Sequence, residues 1–554
     1  MANLSAPRIS GRALRALVPT VKATPLKHAL VGVLRAQLGI DAVRALAEEY
    51  RGPLPVDQRP TRARSSHARA SLGLGLPPAQ EWPRTNGSYA RAYAEGTARP
   101  LDVARKALAF ARDLGARTPS LGPLVAYDDE RALAAAEESA ARFARGAARE
   151  LEGVPVVIKE EVDVQGLVTR LGTGWIRGAP AREDCPAVAR LRQAGAVVLG
   201  HSPMTEYGMS PLGQNPHRVM PRNPHDERRL AGGSSTGSGV AVATGVAPMA
   251  LGVDGGGSIR IPAVHNGVFG LKPTFGRIPM AGSGTGTGST VGHAGPLGAS
   301  CHDLAAFLQA CGGADDRDPA SVGQPPLEGL EAALGRGVRG LTVGIDEAEW
   351  AVADPELARA ARDALRALEA DGARLVDVRI GLAARAPAIG YLTIALETLV
   401  GLRSVLPIHG SEFGLDLQLM LAGLEAFRSD DYLDAQRLRA TLRRQVAEAL
   451  RSVDLLALPT VARSAPRATE EEAREGFVDS AAIDAACRFA FLGNLTGVPC
   501  GTAPVGVDRE GLPLGVQLVG DAWDEACVLQ AMAHLERAGV ARVVRPRSAD
   551  DLLA

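Results

Sequence analysis

Two serines in separate glycine-rich loops and one lysine at the end of an apolar run are the residues of this 554-residue sequence whose types fit a common chemistry. Ser234 lies in the run Gly232-Gly233-Ser234-Ser235-Thr236-Gly237-Ser238-Gly239. Ser258 follows Asp254-Gly255-Gly256-Gly257, and Lys159 closes the run Gly153-Val154-Pro155-Val156-Val157-Ile158. These are parts for acyl transfer without histidine. A hydroxyl is a weak nucleophile until a base takes its proton; a desolvated lysine can act as that base, whereas arginine cannot give up its proton in a protein. Only five of the 61 Lys and Arg residues are lysines (Lys22, Lys27, Lys106, Lys159 and Lys272), so a lysine at 159 points to a base rather than to a surface charge.

The elements that must position these groups follow from the flanking residues. Val154 to Ile158 is mostly β-branched and apolar, which predicts a buried strand that delivers Lys159 at its end, desolvated enough to be neutral. After Asp254, the absence of side chains lets the N–H groups of Gly255, Gly256, Gly257 and Ser258 converge on a developing oxyanion; losing one such donor typically costs about 3 kcal/mol of barrier. Ser234, both donor and acceptor, can pass a proton between Lys159 and Ser258. Asp254, next to glycines, is expected to accept backbone hydrogen bonds and fix the loop, and Arg260 and Lys272, each beside a proline, are read as architectural.

Other readings of the same residues are weaker. Glycine-rich runs taken alone are more often flexible loops or phosphate nests. Gly233 to Gly237 fits G-x-S-x-G, which would make Ser235 a nucleophile, but that elbow needs an apolar strand before it, and His225-Asp226-Glu227-Arg228-Arg229 is no buried strand. The repeat at Gly282 to Gly288 lacks the lysine of a nucleotide-binding loop and reads as a loop. The ten histidines form no H-E-x-x-H and the six cysteines no C-x-x-C, so neither metal nor cofactor is implied.

On these motifs the chain resembles the amidase signature enzymes, serine hydrolases with a Ser, cis-Ser, Lys triad. The GGSSGGS motif of that family is matched by Gly232 to Ser238, and its D-T-G-G-S-I-R-x-P motif by Asp254 to Pro262; the two serines lie 24 positions apart and the lysine 75 before the first. The resemblance continues through Arg182 to Thr205, Gly267 to Thr274, Gly292 to Asp303 and the closing segments DLLALPTVARSAP and NLTGVPCGTAPVGVDREGLPLGVQLVG. It implies Ser258 as nucleophile, Ser234 in a cis peptide with Gly233, Lys159 as base, and Gly233, Asp254 and Arg260 as structural support. It also implies an α/β fold with a large mixed, twisted β-sheet covered on both faces by helices, spanning residues 101–545 as one catalytic domain, with an N-terminal helical extension over 1–100 and a tail at 546–554. Thr236, Gly255 and Ala299 depart from the family pattern without removing a catalytic group, and Thr236 is the departure expected to alter substrate fit.

Composition fits such an enzyme. A content of 46% apolar residues over this length supports a sizeable core, and a formal charge of −1 argues against a general nucleic-acid-binding surface. Six scattered cysteines read as reduced core thiols in a cytoplasmic protein. Residues 1–40 carry six basic side chains (Arg8, Arg12, Arg15, Lys22, Lys27, Arg35) and no acidic one, and Leu26, Leu30, Val33, Leu34 and Leu38 share a helical face. Such a stripe suits either peripheral contact with an anionic membrane or packing on the protein's own core. No apolar run is long enough for a signal segment or a spanning helix. Residues 52–87, rich in Pro, Arg and Ser, read as a surface loop or linker.

The expected activity is hydrolysis of a carboxylic acid amide through a seryl acyl-enzyme, acting on a small-molecule amide and compatible with a homodimer. Two apolar helical stretches, Tyr391 to Val400 and Leu415 to Leu424, stand where the family builds its acyl pockets. They favour aryl or fatty acyl amides if they line the pocket, and say nothing if they only cover the sheet. The alternatives are the glutaminase subunit of a tRNA-dependent amidotransferase and a noncatalytic membrane-surface or scaffold protein.

Overall fold

In the computed structural model, residues 8–23, 32, 33, 35, 39–49, 60, 62, 82, 84–284, 289–425 and 427–554 are described. Among these residues eleven strands build one mixed sheet. In chain order, after the short β1 (Ile9–Ser10), they are β2 (Ala126–Tyr127), β3 (Pro155–Lys159), β4 (Val197–Ser202), β5 (Met249–Asp254), β6 (Phe269–Lys272), β7 (His293–Gly298), β8 (Thr342–Ile345), β9 (Arg374–Asp377), β10 (Leu455–Pro459), β12 (Cys500–Val507) and β13 (Pro513–Gly520). β11 (Phe477–Val478) lies outside this sheet and pairs antiparallel with β1, Ile9 opposite Val478. The order across the large sheet is β2-β4-β3-β5-β7-β6-β12-β13-β10-β8-β9.

The predicted strand leading to Lys159 is β3. It runs parallel to β4 on one side and to β5 on the other, and every residue of all three is buried. Strands covered on both faces read as continuous apolar runs, as Val156 to Ile158 and Val197 to Leu199 do. One apolar core joins these strands to helices on one face, among them Pro100–Ala116, Cys301–Cys311 and Glu525–Arg537. A second, on the other face, gathers helices Ala386–Gly401 and Ser429–Ser452 around Leu456, Leu458 and Val519. All six cysteines are buried with free thiols.

The N-terminal segment differs in detail from the sequence expectation. Of the apolar stripe, only Val33 lies among the described residues with its side chain, and it is half exposed. The helix that does pack on the core is Gly11–Ala23, which seats Leu14, Val18 and Val21 on Leu419 and Ala422. Those three fall at i, i+4 and i+7, so a stripe of the same kind runs one segment earlier than the expected one. The end of the expected linker at 87 is also revised: Thr85 caps a helix at Asn86–Ala94, with its side chain accepting from Ser88 N. Most of 52–84 lies outside the described residues. Among the described residues no helix is long and apolar enough to cross a membrane.

Candidate active site

Parallel neighbours end at the same edge of a sheet, and that is what assembles the site. With Ile158 in register with Leu251, the C-terminal ends of β3 and β5 lie side by side, so Lys159 and the loop after Asp254 leave the sheet together. Lys159 is fully buried and donates to Ser234 Oγ at 2.8 Å and to the Val253 carbonyl on β5 at 3.2 Å. The desolvation expected from the sequence is therefore present, but it does not act alone: Glu161 Oε2, also buried, lies 2.6 Å from the amine. Sequence reasoning missed Glu161; the only signal for it was its place two residues after the lysine, in Lys159-Glu160-Glu161.

Ser234 precedes helix Thr236–Thr244, and its peptide bond to Gly233 is cis. The glycines that follow let this helix lie close against its neighbours: a Cβ on Gly237 would come within 2.4 Å of Pro203 Cδ. Thr236 is completely buried, with its hydroxyl lacking a partner, so this departure sits inside the core and not on a substrate-facing wall, contrary to the sequence expectation. Ser235 is also inside: its hydroxyl approaches the Val253 carbonyl at 3.4 Å, its N–H donates to the Ser258 carbonyl at 3.3 Å, and no strand leads into it. The two serine loops thus abut, with Ser258 at 8% exposure and Ser234 at 2%. Among the described residues no hydrogen bond joins the Ser234 and Ser258 hydroxyls.

Asp254 organises the second loop from beneath. Its carboxylate accepts from Gly257 N (2.7 Å), Ile259 N (3.0 Å), Arg260 Nε and Nη2 (3.0 and 2.9 Å) and Asn494 Nδ2 (2.9 Å). Burial alone would push this carboxyl up, but the Arg260 guanidinium and the Asn494 amide hold it well below the usual carboxylate range. These contacts bear on the N–H groups expected as oxyanion donors. Of the four, that of Gly257 is already given to Asp254. Gly257 has φ +115°, which disfavours any side chain, and a Cβ on Gly256 would strike the Phe491 ring at 2.7 Å. Lys272, also buried, donates to the carbonyls of Val498 (2.6 Å) and Pro273 (3.0 Å).

A cavity of about 220 Å³ lies beside these loops. Helices Ala386–Gly401 and Leu415–Leu424 occupy the stretches read as apolar helices, and both line it, through Tyr391, Leu392, Leu417 and Met420 among others. Two contacts tie it to the chemistry. Gly208, between the lining residues Glu206 and Met209, has its Cβ position 3.2 Å from Ser234 Oγ; and Tyr391 meets Phe491, which covers Gly256, at 5.2 Å between ring centres. Ile9 and Val33 of the N-terminal segment complete the wall. The polar lining went unrecognised in the sequence: Glu206 accepts from Gly414 N (2.9 Å) and meets His217 Nε2 (2.8 Å), and Asp416 is pushed up to about 6 by burial.

Known proteins share this architecture. Residues 107–529 match the family model Amidase. A fatty acid amide hydrolase of Oryza sativa subsp. indica is 30% identical over 100% of this chain and 96% of its own length. A glutamyl-tRNA(Gln) amidotransferase subunit of Roseiflexus castenholzii is 34% identical over 75% of this chain and 88% of its own. The structure of a peptide amidase from Stenotrophomonas maltophilia superimposes with a TM-score of 0.69 at 26% identity, covering 84% of this chain and 99% of that one. With a family model spanning most of its length and a sheet whose strand ends bring Lys159 to Ser234, the chain belongs to the amidase signature family of amide hydrolases.

Proposed function

We propose that this protein hydrolyses amides of apolar acyl groups, fatty or aryl, through a seryl acyl-enzyme. The observation that carries the proposal is the buried contact of Lys159 with Ser234, which Gly208 joins to a largely apolar cavity through its lining neighbours Glu206 and Met209. Lys159 draws a proton from Ser234 as Ser234 takes the proton of Ser258. The Ser258 Oγ–carbonyl bond forms, and the oxyanion is held by the N–H groups of Gly255, Gly256 and Ser258. The proton returns by the same relay to the leaving amine as the C–N bond breaks, and water then cleaves the ester. An apolar lining favours apolar acyl chains over small polar ones, and the similarity to a fatty acid amide hydrolase supports the same class.

The similarity to an amidotransferase component favours a second reading, a glutaminase dependent on partner subunits. It requires a pocket for glutamine's polar head, for which Glu206 and Asp416 supply acceptors but the described lining supplies no cation. Treatment with a fluorophosphonate, followed by peptide mapping, and a panel of acyl amides with glutamine included, separates the readings. The expected result is an adduct on Ser258 and fastest turnover of long-chain or aryl acyl amides. Ammonia release from glutamine alone would favour the glutaminase, and an unlabelled, inactive folded protein a noncatalytic role.

A further inference from the structure

We propose that Glu161 positions the Lys159 amine for proton transfer and sets the pH range in which it works; this rests on Lys159 being the base in the reading above. Three acceptors surround the amine nitrogen: Glu161 Oε2 at 2.6 Å, Ser234 Oγ at 2.8 Å and the Val253 carbonyl at 3.2 Å. An ammonium has three N–H groups, and each finds a place. A neutral amine has two, plus one lone pair. An ionised carboxylate and a carbonyl can only accept, whereas a hydroxyl also donates, so the two N–H groups stay with Glu161 and Val253 and the lone pair is left facing Ser234. That is the orientation a base needs. When the Ser234 O–H bond breaks and the new N–H bond forms, the resulting ammonium lies against a carboxylate that stabilises it until the proton is returned.

The other ionisable groups nearby are engaged elsewhere. Glu160, next in sequence, turns to Arg218 and to Met204 N; Asp254 on β5 is bound by Arg260; His201 on β4 meets the Val162 carbonyl; Asp163 takes the Thr169 hydroxyl. From the serine loops the Ser234 hydroxyl contacts the amine, and among the described residues Glu161 is its one ion-pair partner.

The test is the pH profile of kcat/KM for amide hydrolysis in Glu161→Gln, which keeps shape and an acceptor but removes the charge. Without the neighbouring carboxylate the neutral amine persists to lower pH, so the acidic limb moves down by about one unit or more. The plateau falls roughly tenfold as the base weakens. Glu161→Leu, which also removes the acceptor, falls on the order of a hundredfold. If Glu161→Gln does not fold, Glu161→Asp carries the same test, since a longer contact moves the limb in the same direction by less. An unmoved limb in a folded, active variant overturns the proposal. A wild-type protein that turns over no amide and takes no label on Ser258 overturns the reading of the site itself, and this inference with it.

Discussion

Two buried lysines, Lys159 at the end of β3 and Lys272 at the end of β6, make the informative comparison. Both are fully buried, and both donate to backbone carbonyls: Lys159 to Val253, Lys272 to Val498 and Pro273. Lys272 is pushed down to about 8 by burial, so desolvation alone brings a lysine within reach of neutrality. Yet its hydrogen-bond partners only accept, so once neutral it has no hydroxyl in contact from which to take a proton. Lys159 has one partner that can donate, Ser234, and a carboxylate beside it. Burial makes an amine able to shed a proton; a hydroxyl in contact is what the proposed role of Lys159 as base requires in addition.

The sharpest way to break this comparison is to remove each amine in turn. Lys159→Met is expected to lower kcat by about 10²–10⁴ with the fold retained. Lys272→Met should leave kcat of the folded fraction within about threefold while costing about 1–3 kcal/mol of stability, because two buried carbonyls lose their donor. Denaturation curves and kcat normalised to the folded fraction separate the two, and a kcat loss in Lys272→Met equal to that of Lys159→Met would end the distinction. Next comes the anchor beneath the oxyanion loop. Asp254→Asn leaves Arg260 buried without its counter-charge and sets an amide against donors, for an expected loss of about 3–5 kcal/mol in urea unfolding. A stable, fully active Asp254→Asn would show that the loop holds itself.

A smaller effect concerns pH. Lys272 titrates near 8 when folded against 10.5 for the free group, so between these values the unfolded chain binds more protons. Stability contributed through this group therefore rises from pH 8 to 10. Subtracting the Lys272→Met curve from that of the wild type should reveal the rise, and a flat difference would mean that Lys272 stays charged. The mildest test is removal of residues 1–10, which takes Ile9 from the cavity wall. Acyl chain-length preference is expected to broaden by a few-fold in kcat/KM, and an unchanged preference would assign the wall to the helices alone.

What was legible in the sequence was local. The β-branched run before Lys159, the glycines around both serines and the acceptor role of Asp254 each depend on a few contiguous residues. The contacts made across the chain were not legible. Nothing near Asp254 announces Asn494, 240 residues away, and nothing in Lys-Glu-Glu says which carboxylate turns inward: Glu160 goes to Arg218 and Glu161 to Lys159. The Gly257 N–H counted as an oxyanion donor because its acceptor, three residues back, is fixed by tertiary contacts to Arg260 and Asn494. The cavity is the extreme case, assembled from segments near residues 9, 210, 390, 420 and 480, each apolar for reasons that a core would explain equally well.

The pairing of Ile9 with Val478, and the ion pairs of Arg8 with Glu472 and Asp479, impose an order of events on synthesis. A chain emerging from the ribosome exposes Arg8 and Ile9 long before their partners exist, so this clasp closes only once synthesis has passed Asp479. Lys159 and both serines are in the nascent chain well before the cavity has its last wall at Asp484, but Asn494, which holds Asp254 beneath the second serine loop, emerges after that wall.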